Sequence, residues 1–219
     1  MKRFVQSAIA AIALLAVSLP AAADDHRRMS NAFMDRMEAV FEFQSKNQHT
    51  EAISYINTVL SSGELELTPY ERAFLLQSRG RSYYGVDLLF EAAADFQAAI
   101  DTGTLTDDET FSRRRNIAQM QHLTGQFADA IETYGLILES EPPGTQTGPF
   151  LKGLAQSYAM AEDWANASET VEAFLAATPE TALNASEYRF AAFVFEQAGD
   201  AARAEEITRQ ANERFPQAQ

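Results

Sequence analysis

Arginine, lysine and glutamine side chains recur at helical spacing in four segments of the chain. Within each segment these positions are four and three residues apart, so a helix would place them on one face. Guanidinium groups bind carboxylates through paired hydrogen bonds and glutamine amides bind peptide groups, so this set suits an anionic or amide-rich peptide. This set, called the polar stripe below, comprises Gln77, Arg81, Tyr84, Arg115, Asn116, Gln119, Lys152, Gln156, Arg189 and Phe193, with His122 at its edge.

A second interpretation of the polar stripe requires no partner. The chain contains 31 aspartate and glutamate residues against 17 lysine and arginine residues. The arginines of the stripe can therefore pair with neighbouring carboxylates and serve only to keep the exposed helices soluble, which is common on protein surfaces. The sequence leaves both interpretations open.

The equivalent positions of a further segment, which precedes these four in the chain, are mostly apolar. They are Met37, Phe41 and Gln44, with Met34 nearby. We favour packing within the chain for these residues, because the first unit of an array shields its own core. The alternative is that they form the contact surface of a homodimer.

Other kinds of chemistry have little support. His26, His49 and His122 are far apart and do not show metal-ligand spacing on one helix. The absence of cysteine excludes disulfides, thiolate metal sites and thiol catalysis. We find no nucleophile elbow, phosphate-binding loop or dinucleotide fingerprint. The sequence therefore predicts a protein that is not an enzyme, with no catalytic residues, no metal and no cofactor.

A repeated pattern explains how the polar stripe would be positioned. Taking Ala92 as an anchor, equivalent alanines follow one another at spacings of 40, 38, 37 and 37 residues: Ala52, Ala92, Ala130, Ala167 and Ala204. Twelve residues before the anchors lie mostly small residues: Val40, Gly80, Ala118, Ala155 and Ala192. Nine before them lie mostly aromatic residues, with Gln121 as the departure: Phe43, Tyr83, Gln121, Tyr158 and Phe195. Small residues permit close helix contacts and aromatic residues fill the space between them.

This pattern resembles the tetratricopeptide repeat family, whose unit is a helix, a turn and a second helix. Gly80, Tyr83, Ala92, Phe96 and Ala99 carry the resemblance in the second unit. The resemblance implies an all-α fold, a right-handed α–α superhelix whose concave groove is lined by the first helix of each pair. We predict one solenoid domain over residues 24–219, with five units at about residues 30–66, 67–105, 106–143, 147–180 and 183–216.

The first residues predict export. Lys2 and Arg3 precede an apolar run over residues 8–19, and small residues end at Ala23. This order is typical of a signal peptide cleaved after Ala23, followed by a frayed segment over residues 24–29. Cleavage removes two positive charges and moves the formal net charge from -14 to -16. So acidic a chain disfavours nucleic acid and anionic membrane surfaces as partners.

Together these features predict a periplasmic adaptor that binds a peptide or helix of an envelope partner in its groove. The partner segment would be acidic or would end in a carboxylate, and the mature chain would not insert stably in a membrane. A self-associating structural protein of the envelope is the alternative. A hydrolase built on a helical solenoid is a weaker one, because it needs convergent acidic residues in a closed cleft.

Overall fold

The computed structural model describes residues 27–216, which form ten α-helices in five helix–turn–helix pairs and contain no strand. The predicted signal peptide lies outside these residues. The helices are α1 (Asn31–Ser45), α2 (His49–Ser62), α3 (Pro69–Gly85), α4 (Leu89–Asp101), α5 (Asp107–Leu123), α6 (Phe127–Glu139), α7 (Gly148–Met160), α8 (Trp164–Ala177), α9 (Ala185–Gln197) and α10 (Ala201–Arg214), with a short 3₁₀ turn at Glu180–Ala182. Over residues 27–216, no helix has both the length and the apolar character needed to cross a membrane.

The turn inside each pair uses the same backbone conformation. One residue, five positions before each anchor alanine, has a φ between 56° and 83°: Asn47, Asp87, Gly125, Glu162 and Gly199. A left-handed residue reverses the chain within a short turn, so the five turns are equivalent. In the fourth turn the next residue, Asp163, caps α8 by accepting a hydrogen bond from the Asn166 backbone N–H at 3.3 Å.

The positions of the anchor alanines determine how the two helices of a pair pack. The first four anchor alanines are fully buried, as are Ala118 and Ala155, whereas the fifth anchor, Ala204, is only half-buried. Since α10 has no following pair over it within residues 27–216, this difference reflects the end of the array. Each helix packs against its neighbours in sequence, and first helices of successive pairs also touch, α1 with α3 and α5 with α7.

Gln121 occupies a position where the other units carry an aromatic residue. Its side-chain oxygen accepts a hydrogen bond from Thr133 Oγ1 of α6 at 2.8 Å. The Asp129 carbonyl of the same helix lies 2.9 Å from this hydroxyl, so the single Thr133 proton is shared between two acceptors. A polar contact therefore joins the helices of the third pair where aromatic packing joins the others.

Three of the first helices begin with a reciprocal capping box, formed by Thr68 with Glu71, Thr106 with Glu109 and Asn184 with Glu187. Burial of the Glu71 carboxyl opposes its ionisation, but the backbone N–H groups of Ser30 and Thr68 outweigh this effect and lower its pKa. These caps fix where α3, α5 and α9 start, and hence which residues face the groove.

The start of the described chain is anchored and not frayed. The Arg27 guanidinium donates hydrogen bonds of 2.7 and 2.9 Å to the Glu109 carboxylate of α5. It also lies 5.0 Å from the centre of the Tyr70 ring. The expectation of a frayed segment is therefore wrong for Arg27, because its guanidinium pairs with Glu109 in the capping box of α5.

Candidate functional site

A trough of about 930 Å³ lies on the first-helix side between α5 and α7, and it is called the main trough below. The loop before α7 and the end of α8 close its sides. Five predicted members of the polar stripe line it: Arg115, Asn116, Gln119, Lys152 and Gln156. His122 lines it as well. The helix register thus brings half of the polar stripe into one concave surface.

The two cations of the main trough differ in their pairing. Arg115 is exposed, its guanidinium lies 5.5 Å from the centre of the Phe150 ring, and it forms no ion pair with any residue in the described range. Lys152 instead forms a 2.7 Å ion pair with Glu187 of α9. Burial opposes ionisation of Glu187, but the Lys152 hydrogen bond and the Asn184 backbone N–H lower its pKa. Lys152 is therefore paired as the second interpretation expects, whereas the use of Arg115 stays a prediction.

His122 makes a contact that superficially resembles a catalytic pair, with its Nδ1 3.0 Å from Ser157 Oγ. Ser157 is completely buried, and its hydroxyl donates to the Gly153 carbonyl of its own helix at 2.9 Å. Burial lowers the pKa of His122. Because Ser157 has no access to a substrate and its proton is already donated, this pair joins α5 to α7 and does not provide a nucleophile.

A second, smaller concavity adjoins the main trough. It has a volume of about 290 Å³ between α3, α4 and α5, and we call it the arginine pocket. Its polar lining comprises Arg81, Tyr84, Arg113, Asn116 and Gln119, and its apolar lining comprises Phe96, Met120 and Leu123. Asn116, Gln119 and Leu123 border both concavities, so the two form one continuous surface.

The remaining members of the polar stripe lie elsewhere. Arg189 and Phe193 border a separate pocket of about 350 Å³ between α9 and α10. The Phe193 ring packs edge-on against Trp164, with centroids 5.8 Å apart. Gln77 is half-buried and lines none of these three concavities. The ten predicted residues therefore do not form a single site.

The apolar start of the stripe is divided between core and surface. Met37 is completely buried, whereas Met34 is 44% exposed and Phe41 42% exposed. Phe41 also packs edge-on against Phe74, with centroids 6.2 Å apart. Gln44 donates hydrogen bonds to the Ser78 carbonyl and to Ser82 Oγ of α3. Packing therefore accounts for Met37 and Gln44 and only partly for the two exposed residues.

Among the residues that the structure describes, the main trough lacks the pair of carboxylates that a glycosidase requires. Within residues 27–216, Glu187 is the one carboxylate lining the main trough, and it is paired with Lys152. A glycosidase-type site would need two carboxyl groups at a fixed separation across a cleft. Over residues 27–216, no group of three or more acidic or histidine side chains is placed to hold a metal ion.

The polar stripe predicted from the sequence includes neither Arg113 nor the loop that closes the main trough. Three consecutive arginines, Arg113 to Arg115, occupy α5 and point in different directions. Arg114 bonds Ser140, Arg115 lies against Phe150, and Arg113 lies 5.2 Å from the centre of the Phe96 ring. The run was visible in the sequence, but the direction of each side chain depends on the neighbouring helices.

The fold is similar to that of several solved structures. MamA from Desulfovibrio magneticus RS-1, residues 41 to its end, is 12% identical, with a TM-score of 0.61 over 88% of this chain and all of that one. A Podosopora anserina protein with nearly identical TPR-like repeats, described as a kinesin light chain, is 16% identical, with a TM-score of 0.56 over 86% and 98%. BtubC from P. vanneervenii is 17% identical, with a TM-score of 0.56 over 80% and 76%.

Compared by sequence, the chain matches no protein-family model and no curated protein. The structural similarities extend over most of the chain at identities of 12 to 17%, so they bear on the fold alone. Together with the five helix–turn–helix pairs, they confirm the resemblance predicted from Gly80, Tyr83, Ala92, Phe96 and Ala99. The chain has the tetratricopeptide-like fold, an all-α solenoid of paired helices.

Proposed function

We propose that this chain is an adaptor of the cell envelope that binds an extended peptide or a helix of a partner protein across the main trough and the arginine pocket. The observation that carries this proposal is the continuous surface, in which Arg115 has no carboxylate partner in the described range while Asn116 and Gln119 present amides. Amides bind peptide groups, and unpaired guanidinium groups bind carboxylates.

The location in the periplasm is part of this proposal. It is supported by the charged, apolar and small-residue order of residues 1–23. At the formal net charge of -16 expected after cleavage, this protein would repel an acidic partner at long range. An acidic partner would therefore be recognised at a local cationic surface.

Charge reversal in the groove should weaken partner binding at least about tenfold, because charge-assisted hydrogen bonds to the partner are lost. We would change Arg81 and Arg115 together to glutamate. Lys152 is left unchanged, since Glu187 already neutralises it. The partner is identified by affinity purification with the wild-type protein, and its dissociation constant is then measured with purified proteins.

The matched control changes Arg36 and Arg209 to glutamate, which alters the formal charge equally. Both are exposed, each already pairs with a glutamate, and neither lines the main trough or the arginine pocket. The control should bind within about twofold of wild type, and added salt should weaken wild-type binding. Equal affinity of the groove variant, with no effect of salt, would contradict the proposal.

Self-association is a second candidate function, favoured by the exposure of Met34 and Phe41 on α1. The two residues are seven positions apart and so lie on one helical face. A concentration-dependent sedimentation coefficient that disappears in the Met34→Ser, Phe41→Ser variant would support it. A monomer at all concentrations would remove it.

A further inference from the structure

The turn between α3 and α4 exposes three large apolar side chains, called the apolar turn below. They are Val86, Leu88 and Phe90, which are 37%, 43% and 59% exposed. None of them lines the main trough or the arginine pocket, so this surface is separate from the proposed groove. Large apolar side chains that stay exposed as a cluster are characteristic of contact surfaces.

The fold does not require large apolar residues at these positions. All five turns contain the same left-handed backbone residue, and the three residues of the apolar turn lie six, four and two positions before their anchor alanine. The equivalent residues of the other four turns are charged, polar or alanine: Lys46, Thr124, Ala161 and Ala198; Gln48, Gln126, Asp163 and Asp200; Thr50, Ala128, Ala165 and Ala202. The same turn therefore forms without large apolar side chains, and leaving them in water is unfavourable unless a partner covers them.

The neighbouring turns border the apolar turn on both sides. A Cβ on Gly85, at the end of α3, would lie 2.6 Å from Nε2 of His49, which begins α2 directly after the first turn. Tyr84 and Leu123 both line the arginine pocket, which places the third turn on the other side. Stacking of the helix pairs thus brings residues 46–51, 86–91 and 124–129 together along one edge of the solenoid, called the turn edge below.

The unpaired charges of the turn edge are acidic. Four of its carboxylates are exposed and form no ion pair with any residue from 27 to 216: Glu51, Asp87, Glu91 and Asp129. Lys46 is the one lysine or arginine of the turn edge, and its ammonium group is paired with Glu42 at 2.6 Å. A surface of this charge attracts cationic segments and repels acidic ones.

We propose that the apolar turn is a docking site for a cationic, apolar segment of a partner protein. The apolar side chains of this segment cover the apolar turn, and its lysine or arginine side chains pair with Asp87 and Glu91. The inference goes beyond the proposed function, because it assigns a second surface that recognises the opposite charge. The same carboxylates disfavour an anionic membrane, and a second copy of this acidic chain would bring like charges together.

The test uses a fluorescent peptide of about 15 residues in which leucines form one helical face and lysines form the other. Its dissociation constant with the purified protein is measured by fluorescence anisotropy. Two control peptides separate the two kinds of contact: one has glutamate in place of lysine, and the other has glutamine in place of leucine. Chemical shift changes in the nuclear magnetic resonance spectrum of the isotope-labelled protein locate the bound peptide.

The first variant, called the third-turn variant below, gives the second turn the residues of the third: Val86→Thr, Leu88→Gln and Phe90→Ala. The third turn has these residue types at the same places and the same left-handed backbone conformation, so the variant should fold, which circular dichroism checks. We expect it to bind the leucine–lysine peptide at least about tenfold more weakly than wild type, because the apolar contacts are lost.

The contribution of charge is measured with Asp87→Asn and Glu91→Gln combined, which should weaken binding of the same peptide at least about threefold. Asparagine already occupies the equivalent of position 87 in the first turn, at Asn47, so the backbone conformation is retained. The matched control combines Glu132→Gln and Glu205→Gln, which removes the same charge at two exposed carboxylates that have no ion pair in the described part of the chain. The control should bind within about twofold of wild type.

The inference requires both the apolar and the charged contacts. Three results would overturn it: wild-type affinity of the peptide for the third-turn variant, equal binding of either control peptide, or chemical shift changes confined to residues outside the turn edge. A sedimentation coefficient that rises with concentration in the wild type but not in the third-turn variant would also overturn it, because the surface would then bind a second copy. Binding of the wild type, but not of that variant, to anionic vesicles would overturn it in favour of a membrane.

Discussion

Replacement of Gly80 by leucine is expected to lower the free energy of unfolding by about 1 to 3 kcal/mol. A Cβ at this position would lie 2.8 Å from Cε1 of Phe96 and 3.3 Å from the Ala92 carbonyl oxygen. Phe96 is only 4% exposed, so its ring has little room to move. The larger side chain must therefore displace the ring or separate α3 from α4. Urea denaturation followed by circular dichroism measures the change.

Gly135 provides the matched control, since it also lies inside a helix but a Cβ there would meet nothing within 4 Å. Gly135→Ala should raise the free energy of unfolding by about 0.5 to 1 kcal/mol, because alanine loses less backbone entropy in a helix. An unchanged stability for Gly80→Leu would contradict the close contact between α3 and α4.

Removal of the Asp95 carboxylate is expected to cost about 2 to 3 kcal/mol, somewhat less than a completely buried ion pair because Arg79 keeps some contact with water. Asp95 is 6% exposed and accepts two hydrogen bonds from Arg79, of 2.7 and 2.6 Å. Asp95→Ala leaves the Arg79 charge between α3 and α4 without its partner. Chemical denaturation of the purified variant measures the loss.

Removal of both charges should be less harmful than removal of one. The double variant Arg79→Met, Asp95→Leu is expected to recover at least half of the loss, since no unpaired charge remains. Glu42→Ala serves as the control, because its pair with Lys46 is exposed, and it should leave the denaturation midpoint unchanged. A double variant less stable than Asp95→Ala would show that the pair itself, and not the orphaned charge, dominates.

The fold was predictable because the repeat pattern constrains packing at many positions. Anchor alanines at near-constant spacing fix the register of each helix pair, and the structure buries the first four of them completely. Asp87 and Glu162 were not predicted as the left-handed turn residues, because aspartate favours that conformation only weakly and glutamate does not favour it. Only their equivalence to Asn47, Gly125 and Gly199 in the repeat reveals it.

The candidate site was less predictable for a different physical reason. Helical spacing predicts which residues share a face, but it does not predict what the next helix places opposite them. Lys152 belongs to the predicted stripe, yet Glu187, 35 residues later, pairs with it. Arg113 lies outside the stripe, yet contact with Phe96 directs it into the arginine pocket. Ion pairs between successive repeats thus determine which cationic side chains remain available to bind a partner.

The boundaries of the solenoid domain, the use of the polar stripe and the periplasmic location remain predictions. The proposed binding of a partner protein on the first-helix side of α5 and α7 can be tested without altering the charge of the groove.

The most direct measurement is site-specific photo-crosslinking in cells, with a photoreactive residue at Gln119 or Gln156 in the main trough. The control positions are Gln97 and Glu132, which are exposed and line neither the main trough nor the arginine pocket. We predict the same crosslinked partner from both trough positions and none from the controls. Crosslinks to a partner from Gln97 and Glu132 but from neither trough position would show that partners do not bind in the main trough.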